Sequence, residues 1–472
     1  MAEKKESKKT RQLEERLVKE QARCWDGFNS QEKKHVFSYA EDYRDFLNQA
    51  RTERKAVQVL VEGATGNGFR DLSTDLNKVP RLFQVSRGKF LAIAVLGKKP
   101  MTDGVRIITS HVDSPRLDLK PNPLYEDSGL AFLKTHYYGG IKKYHWVARS
   151  LALCGTVIRS DGSSVYVEIG FLPGEPVLTI PDLLPHLSRK LMDQKASEFI
   201  PGENLNLVVG SIPYEDKEAR DRVKLAILEL LDRKYKIKEE DFIGAELQIV
   251  PAEPARDAGL DSSFIAGYGQ DDRVCAYTSF TALMETKVPE HCAIAVFYDK
   301  EEIGSEGNTS AKSLALEMFL MDLMAKVGIE PTTRNLHLCY FNSKALSADV
   351  TAALDPTYSD VYEKRNCAKL GHGINLTKYT GHGGKFMASE ANAEYASWVR
   401  KLFNDNAIVW QAGDLGKVDE GGGGTVAKYL ANSGIEIIDC GPAVLGMHSP
   451  LEVSAKDDIW MCHKAFKVFF AS

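Results

Sequence analysis

In "FYDKEEIGSEG", residues 297–307, two adjacent glutamates, Glu301 and Glu302, follow the apolar run "CAIAVFYD". Neighbouring carboxylates repel one another and need water or a cation close by. Adjacent side chains at a strand end diverge, so one carboxylate can bind a cation while the other handles a proton. A solvated turn is the bland alternative, and it sits poorly beside an apolar run. Four further stretches place polar, chemistry-bearing residues after apolar segments: "TSHVDSPRLD", "GYGQDDRVC", "SADVTAALDP" and "GMHSP".

His111 and Asp113 lie two apart, so in extended chain they point to one face. A carboxylate there can take the second imidazole N–H of a metal-bound histidine and fix its tautomer. Alone, the pair reads more readily as a plain hydrogen-bonded couple than as a metal ligand with its orienting carboxylate. Asp272 reads as a helix N-cap with a local ion pair to Arg273, whereas Asp271 has no such partner. With Asp349 and His448, the inventory becomes two imidazoles and three carboxylates: His111, Asp271, Glu302, Asp349 and His448. That set suits two divalent cations with one shared carboxylate and an open position on each, as in catalytic zinc sites. Two cations, three carboxylates and one hydroxide also balance in charge, leaving Glu301 free as a general base. Zinc, manganese and cobalt all accept such ligands.

The elements that must position these residues alternate. "KFLAIAVLG" and "GVRIITSHVDS" read as buried strands, and from about residue 254 helix and strand alternate: "CAYTSFTALMET" helix, "CAIAVFYD" strand, "SAKSLALEMFLMDLMAKVG" helix, "LHLCYFN" strand, "GTVAKYLANSG" helix, "IEIIDCG" strand, "SAKDDIWMCHKAFKVFF" helix. This rhythm predicts an α/β fold, a mixed sheet covered by helices, with ligands at strand ends. Between residues 118 and 252 the pattern shifts to short strands and turns with one late helix, "DRVKLAILELLDRKY". We expect a discontinuous catalytic domain, 1–117 and 253–472, carrying an inserted β-rich domain over 118–252. Residues 33–64 read as helix after a charged leader, which is either a solvated helix or an arm that grips a neighbouring subunit.

Bulk properties exclude several classes. The 472 residues are 43% hydrophobic with a net charge of −5, which gives no basic field for nucleic acid. No apolar stretch approaches the roughly 20 residues of a membrane span, and the start has no signal-peptide core. Eight scattered cysteines without a CxxC pair argue for reduced thiols and a cytoplasmic location.

Together, "SHVDSPRL", "DDRVCA", "DKEEIGSE", "SADV" and "MHSPLE" closely resemble the aspartyl aminopeptidase-type family of cocatalytic dizinc metallopeptidases, especially its bacterial members. The resemblance covers nearly the whole chain. It implies a metalloaminopeptidase with two zinc ions, removing single residues from peptides with a free N-terminus. It also implies that His111 and Asp349 hold one metal, Glu302 and His448 the other, and Asp271 both, while Asp113 orients His111 and Glu301 is the base. A homo-oligomer, such as a dodecamer, is implied too, with the inserted domain serving dimerisation and substrate gating.

Family members supply a substrate-binding histidine from the inserted domain across a subunit contact. His186 in "PDLLPHLSRKL" is the candidate, with Lys190 where a second histidine is often found; His145 is the other option. Eukaryotic members carry a histidine and a lysine where this chain has Ala352 and Asn375. A neutral or broad first-residue preference is therefore as well supported as an acidic one, with Lys378 and Lys385 as the remaining sources of positive charge. "DEGGGGTVAKYL" lacks the GK[ST] ending of a phosphate loop and reads as a turn that lets backbone approach substrate, with Asp414 and Glu420 near the substrate amine. A dipeptidase or amide deacylase would share this chemistry but needs a group for a substrate carboxylate, such as an arginine. A non-catalytic assembly shell would be expected to have lost a ligand or Glu301.

Overall fold

The computed structural model describes residues 8–19, 21–74 and 79–472. Its largest sheet has nine strands. At its centre, Arg106–His111 runs parallel to Ala293–Tyr298 on one side and to Lys344–Ser347 on the other, and Lys344–Ser347 runs parallel to Glu436–Gly441. Antiparallel strands flank this block, Phe90–Val95 on one edge and Ile374–Thr377 on the other.

These strands read as apolar runs because both sheet faces are covered. In Ala293–Tyr298, Ala293, Ala295 and Phe297 enter one core, and Ile294, Val296 and Tyr298 enter the other. The first core is roofed by helices Ser30–Gln49, Glu53–Gly66, Gln270–Glu285, Ala393–Asp405 and Lys456–Phe470, the second by Ala315–Lys326, Thr333–Asn342 and Ala427–Asn432.

Two expectations need correction. "LHLCYFN" is the end of helix Thr333–Asn342 rather than a strand. Thr332 caps that helix by accepting from the Asn335 amide, and Leu336, Cys339 and Tyr340 are buried at helical spacing. The strand lies just beyond, at Lys344–Ser347. The long N-terminal helix is broken at Ala50–Thr52, where Thr52 caps the second segment through the Lys55 amide. Of the charged leader, residues 8–17 form a helix, and residues 1–7 lie outside the described residues.

A six-stranded antiparallel sheet runs from Arg116–Asp127 to Glu246–Pro251 around its own apolar cluster, which includes Leu117, Trp146, Leu153 and Ile249. Helix Arg222–Tyr235 packs on it. A third sheet of five short strands includes Phe264–Gly267 and Glu452–Ala455, whose ends lead into the site. All eight cysteines are buried and unpaired. Among the described residues, no helix is long and apolar enough to cross a membrane.

Phe466 is fully buried in the first core, beneath the C-terminal helix. Phe466→Ala is expected to destabilise the fold by about 3–5 kcal/mol, read as a lower midpoint of denaturant unfolding with the site's metal affinity unchanged.

Candidate metal centre

The parallel strands deliver their carboxyl ends to one edge. His111 is the last residue of its strand and pairs with Tyr298 in register, while Ser347 pairs with Thr109. Glu301 and Glu302 therefore emerge beside His111, and Asp349 on its other side. Glu301 and Glu302 sit in a single 3₁₀ turn, Glu301–Ile303, entered through Lys300 in the left-handed region at φ 69°. This turn, rather than a strand end, separates the two carboxylates.

Asp271 occupies the middle. Its Oδ1 lies 3.2 Å from His111 Nε2 and its Oδ2 lies 3.1 Å from His448 Nε2. Asp349 Oδ1 is 3.9 Å from His111 Nε2, and Glu302 Oε2 is 3.4 Å from His448 Nε2. One histidine and one carboxylate thus stand on each side of a shared carboxylate. His111, Asp271 and Glu302 form one cluster of metal-ligating atoms, and His111, Asp272 and Asp349 a second.

Both histidines have their tautomers fixed by backbone carbonyls. His111 Nδ1 is 3.0 Å from the Asp113 carbonyl and His448 Nδ1 is 3.0 Å from that of Gly140. A carbonyl only accepts, so each Nδ1 carries a hydrogen, which leaves each Nε2, the nitrogen facing Asp271, as the one able to bind a metal. Any side chain at Gly140 would meet the His448 ring, since a Cβ there lies 3.2 Å from Nδ1.

Asp113 does more than face His111. It is fully buried, its Oδ1 accepts the Glu301 amide at 3.1 Å, and its Oδ2 accepts the Glu302 amide at 3.2 Å and the Tyr138 hydroxyl at 2.8 Å. One carboxylate therefore sets the position of the histidine and of the glutamate turn together.

Glu452 has the matching role on the other side. Its Oε2 accepts the Gln270 amide at 2.6 Å and the Asp271 amide at 3.2 Å, and its Oε1 accepts the His448 amide at 2.8 Å. Neither Glu452 nor Tyr138 was singled out from sequence. The only local trace was the glutamate of "MHSPLE".

Asp272 also departs from expectation. It is fully buried, its Oδ2 accepts the His111 amide at 3.4 Å, and among the described residues it makes no ion pair with Arg273. Arg273 instead donates to the carbonyls of Gly269 and Arg51 and lies over the Tyr268 ring. Burying the Asp272 carboxylate next to the ligands makes it part of the site's acidic floor rather than a surface cap.

The electrostatics are those of acids awaiting a cation. Burial raises the carboxyls of Glu302 and Asp349 above the ordinary range and that of Glu301 to about 7. Burial also opposes charge on Asp271, but the two imidazoles outweigh it and pull that carboxyl well below its usual value. His448 responds in kind: burial lowers it, and Asp271 and Glu302 carry it up to about 10. Asp271 Oδ1, Asp272 Oδ1 and Glu302 Oε1 are buried without any hydrogen-bond partner. Unpaired buried oxygens are costly, and a divalent cation is the partner that satisfies several at once. The donor set and these orphaned atoms fit a divalent metal centre.

Above the ligands opens a cavity of about 450 Å³, lined by loops 379–385 and 414–425. Gly422 is required where these loops meet, since a Cβ would fall 1.9 Å from the Gly381 carbonyl oxygen. Asp414 lines the cavity and accepts the Tyr379 hydroxyl at 3.0 Å, whereas Glu420 lies outside the lining. Lys378 and Lys385 both pair with Glu390, at 3.4 and 3.0 Å. Asn375 is buried and donates to Thr377 Oγ1 and to the Gly413 carbonyl. His186 lies on an exposed turn and does not line the cavity, and neither does His145.

A cluster of histidines and carboxylates at the carboxyl ends of parallel strands defines a metal-dependent hydrolase on an α/β sheet. The family model "Aminopeptidase I zinc metalloprotease (M18)" matches residues 46–470. A probable M18 family aminopeptidase 1 of Borrelia garinii is 46% identical over 451 residues, covering 94% of this chain and 98% of the relative. The crystal structure of the M18 aminopeptidase from Thermotoga maritima superposes with a TM-score of 0.92 at 42% identity, covering 96% of this chain and 99% of that one. The dodecamer of mApe1 from Saccharomyces cerevisiae shares the fold at 22% identity and a TM-score of 0.73, covering 91% of this chain and 96% of that one. The chain belongs to the M18 family of zinc aminopeptidases, and its activity class is that of a metalloaminopeptidase.

Glu452→Gln is expected to weaken metal binding about 10–100-fold, the usual effect of losing a group that orients ligands. Competition with a chromogenic chelator measures it, and unchanged affinity would contradict the assignment.

Proposed function

We propose that the chain removes single residues from peptides bearing a free N-terminus, with two divalent cations, zinc first, held by His111 and Asp349 on one side, Glu302 and His448 on the other, and Asp271 between them. The observation that carries this reading is Asp271, whose two oxygens face the two Nε2 atoms at 3.2 and 3.1 Å. When bound, the cations supply Lewis-acid polarisation of the scissile carbonyl and acidify a water toward neutrality.

The chain's own residues do the rest. Glu301 takes the proton of the attacking water and delivers it to the leaving amine. Asp113, through the Glu301 amide and the His111 ring, keeps base and ligand in one geometry. The acidic surroundings favour a protonated substrate amine, which suits an exopeptidase. Among the described residues no arginine lines the cavity, although Lys385, Lys417 and Lys428 do, so a dipeptidase would lack the guanidinium clamp for a substrate carboxylate.

A neutral or broad first-residue preference is the reading best supported here. Glu390 offsets Lys378 and Lys385, and Asn375 is occupied by Thr377 and Gly413 rather than open to substrate. We further assign residues 118–252 to an inserted domain for dimerisation and substrate gating within a homo-oligomer, a dodecamer by analogy with the yeast relative. Its separate apolar cluster and the exposed Leu172, Leu187 and Met192 support that role. His186 would reach substrate only from a neighbouring subunit.

Glu301→Gln is expected to abolish turnover of aminoacyl nitroanilides, by at least about 100-fold, while both metals of the catalytic centre stay bound. In the same assay the parent protein should release residues from unblocked peptides only, with leucine substrates matching or exceeding aspartate ones. Near-normal turnover by Glu301→Gln, or cleavage of N-acetylated peptides, would contradict the mechanism.

A further inference from the structure

A second buried acidic cluster lies away from the catalytic residues. Cys24, on the short helix Cys24–Gly27, meets Asp457 and Asp458 in the first turn of helix Lys456–Phe470. One ligating atom from each residue, Cys24 Sγ and a carboxylate oxygen from each aspartate, lies within 4.8 Å of the others. All three residues are fully buried.

A helix N-terminus favours acidic residues through its dipole, and that accounts for Asp458. Its two oxygens accept the Gly373 amide at 2.6 Å and the Gly371 amide at 2.7 Å. Asp457 is different. Both of its oxygens are buried and neither has a hydrogen-bond partner. Burial opposes its charge, only the amides of its own helix turn, Asp457 and Asp458, favour it, and the adjacent Asp458 adds repulsion.

Asp457, alone of the three residues, also lines a cavity of about 420 Å³, beside Arg23, Trp25, Phe37, Asp261 and Leu370. The cavity gives an ion a way in and leaves room for water to complete its shell. Burial first, and then the two aspartates, hold the Cys24 thiol protonated, with Lys464 on the same helix opposing them, so an entering cation has to displace that proton. A thiolate and two carboxylates offset a divalent cation with one negative charge to spare, since Lys464 is itself paired with Glu32 at 3.8 Å.

We propose that Cys24, Asp457 and Asp458 form a third divalent-cation site, distinct from the catalytic centre, that fastens the N-terminal segment to the C-terminal helix. A thiolate with two carboxylates and a water suits a tetrahedral, borderline-soft ion, so zinc is the natural occupant and cadmium a faithful probe. The backbone already joins the same parts, since the Cys24 amide donates to the Gly371 carbonyl at 2.9 Å. The ion adds a cross-link between residues 434 positions apart.

The test uses the full chain, stripped of metal by chelation and titrated with cadmium, reading thiolate-to-metal ultraviolet absorption and bound cadmium per chain. The parent protein should develop the absorption of a single thiolate. Cys24→Ser should lose it and bind one fewer ion, and Asp457→Asn should need at least about ten times more cadmium to reach it. Asp271→Asn, altered only at the catalytic centre, should keep the absorption, which separates this site from the catalytic assignment. Cadmium should also raise the unfolding temperature of Asp271→Asn but not that of the Cys24→Ser, Asp271→Asn double variant. No absorption in the parent, absorption unchanged in Cys24→Ser, or absorption lost in Asp271→Asn would each overturn the proposal.

Discussion

The site depends on the parallel register of Ala293–Tyr298, Arg106–His111 and Lys344–Ser347, which ends all three strands at one edge of the sheet. Parallel neighbours must end together, and the groups beyond their carboxyl ends then converge without further instruction. His111, the Glu301–Glu302 turn and Asp349 follow from that register. Asp271 and His448 arrive from the flanking five-stranded sheet, whose strands Phe264–Gly267 and Glu452–Ala455 pair with each other and so bring the two residues in together. The active centre is the seam between two sheets.

A seam of this kind has to be fixed against repulsion among its own carboxylates. Asp113 and Glu452 do so as buried acceptors of backbone amides, one serving the Glu301–Glu302 turn and the other the Asp271 and His448 segments. Their placement converts charge that would push the ligands apart into hydrogen bonds that hold them in place. Under the proposed function, cations would complete the neutralisation at the oxygens of Asp271 and Glu302 that have no other partner. Tyr138 extends the same logic to the antiparallel sheet, since its hydroxyl closes on Asp113 and couples that sheet to the ligand turn.

Much of this was legible in sequence, for physical reasons. Strands covered on both faces are apolar through most of their length, so His111 and the Glu301–Glu302 pair stand out among the polar residues that close such runs. Asp349 and His448 stood out in the same way. "LHLCYFN" has seven residues, too few for helical and alternating patterns to separate, and the cap that marks it as helix, Thr332, lies four residues upstream. Glu452 and Tyr138 were invisible because their partners are backbone amides and a carboxylate far away in the chain, which leave no local spacing. Asp272 was misjudged because a cap and a buried floor residue look alike until burial is known. The roles assigned to the ligand residues rest on the geometry of Asp271 and on membership of the M18 family.

Anomalous diffraction from crystals of the zinc-loaded protein, collected on either side of the zinc edge, tests the central claim most directly. At the catalytic centre the account predicts two peaks about 3.5–4 Å apart, one on each side of the Asp271 carboxylate, the first within bonding distance of His111 and Asp349 and the second of Glu302 and His448. A single peak, or two peaks that do not share Asp271, would contradict it.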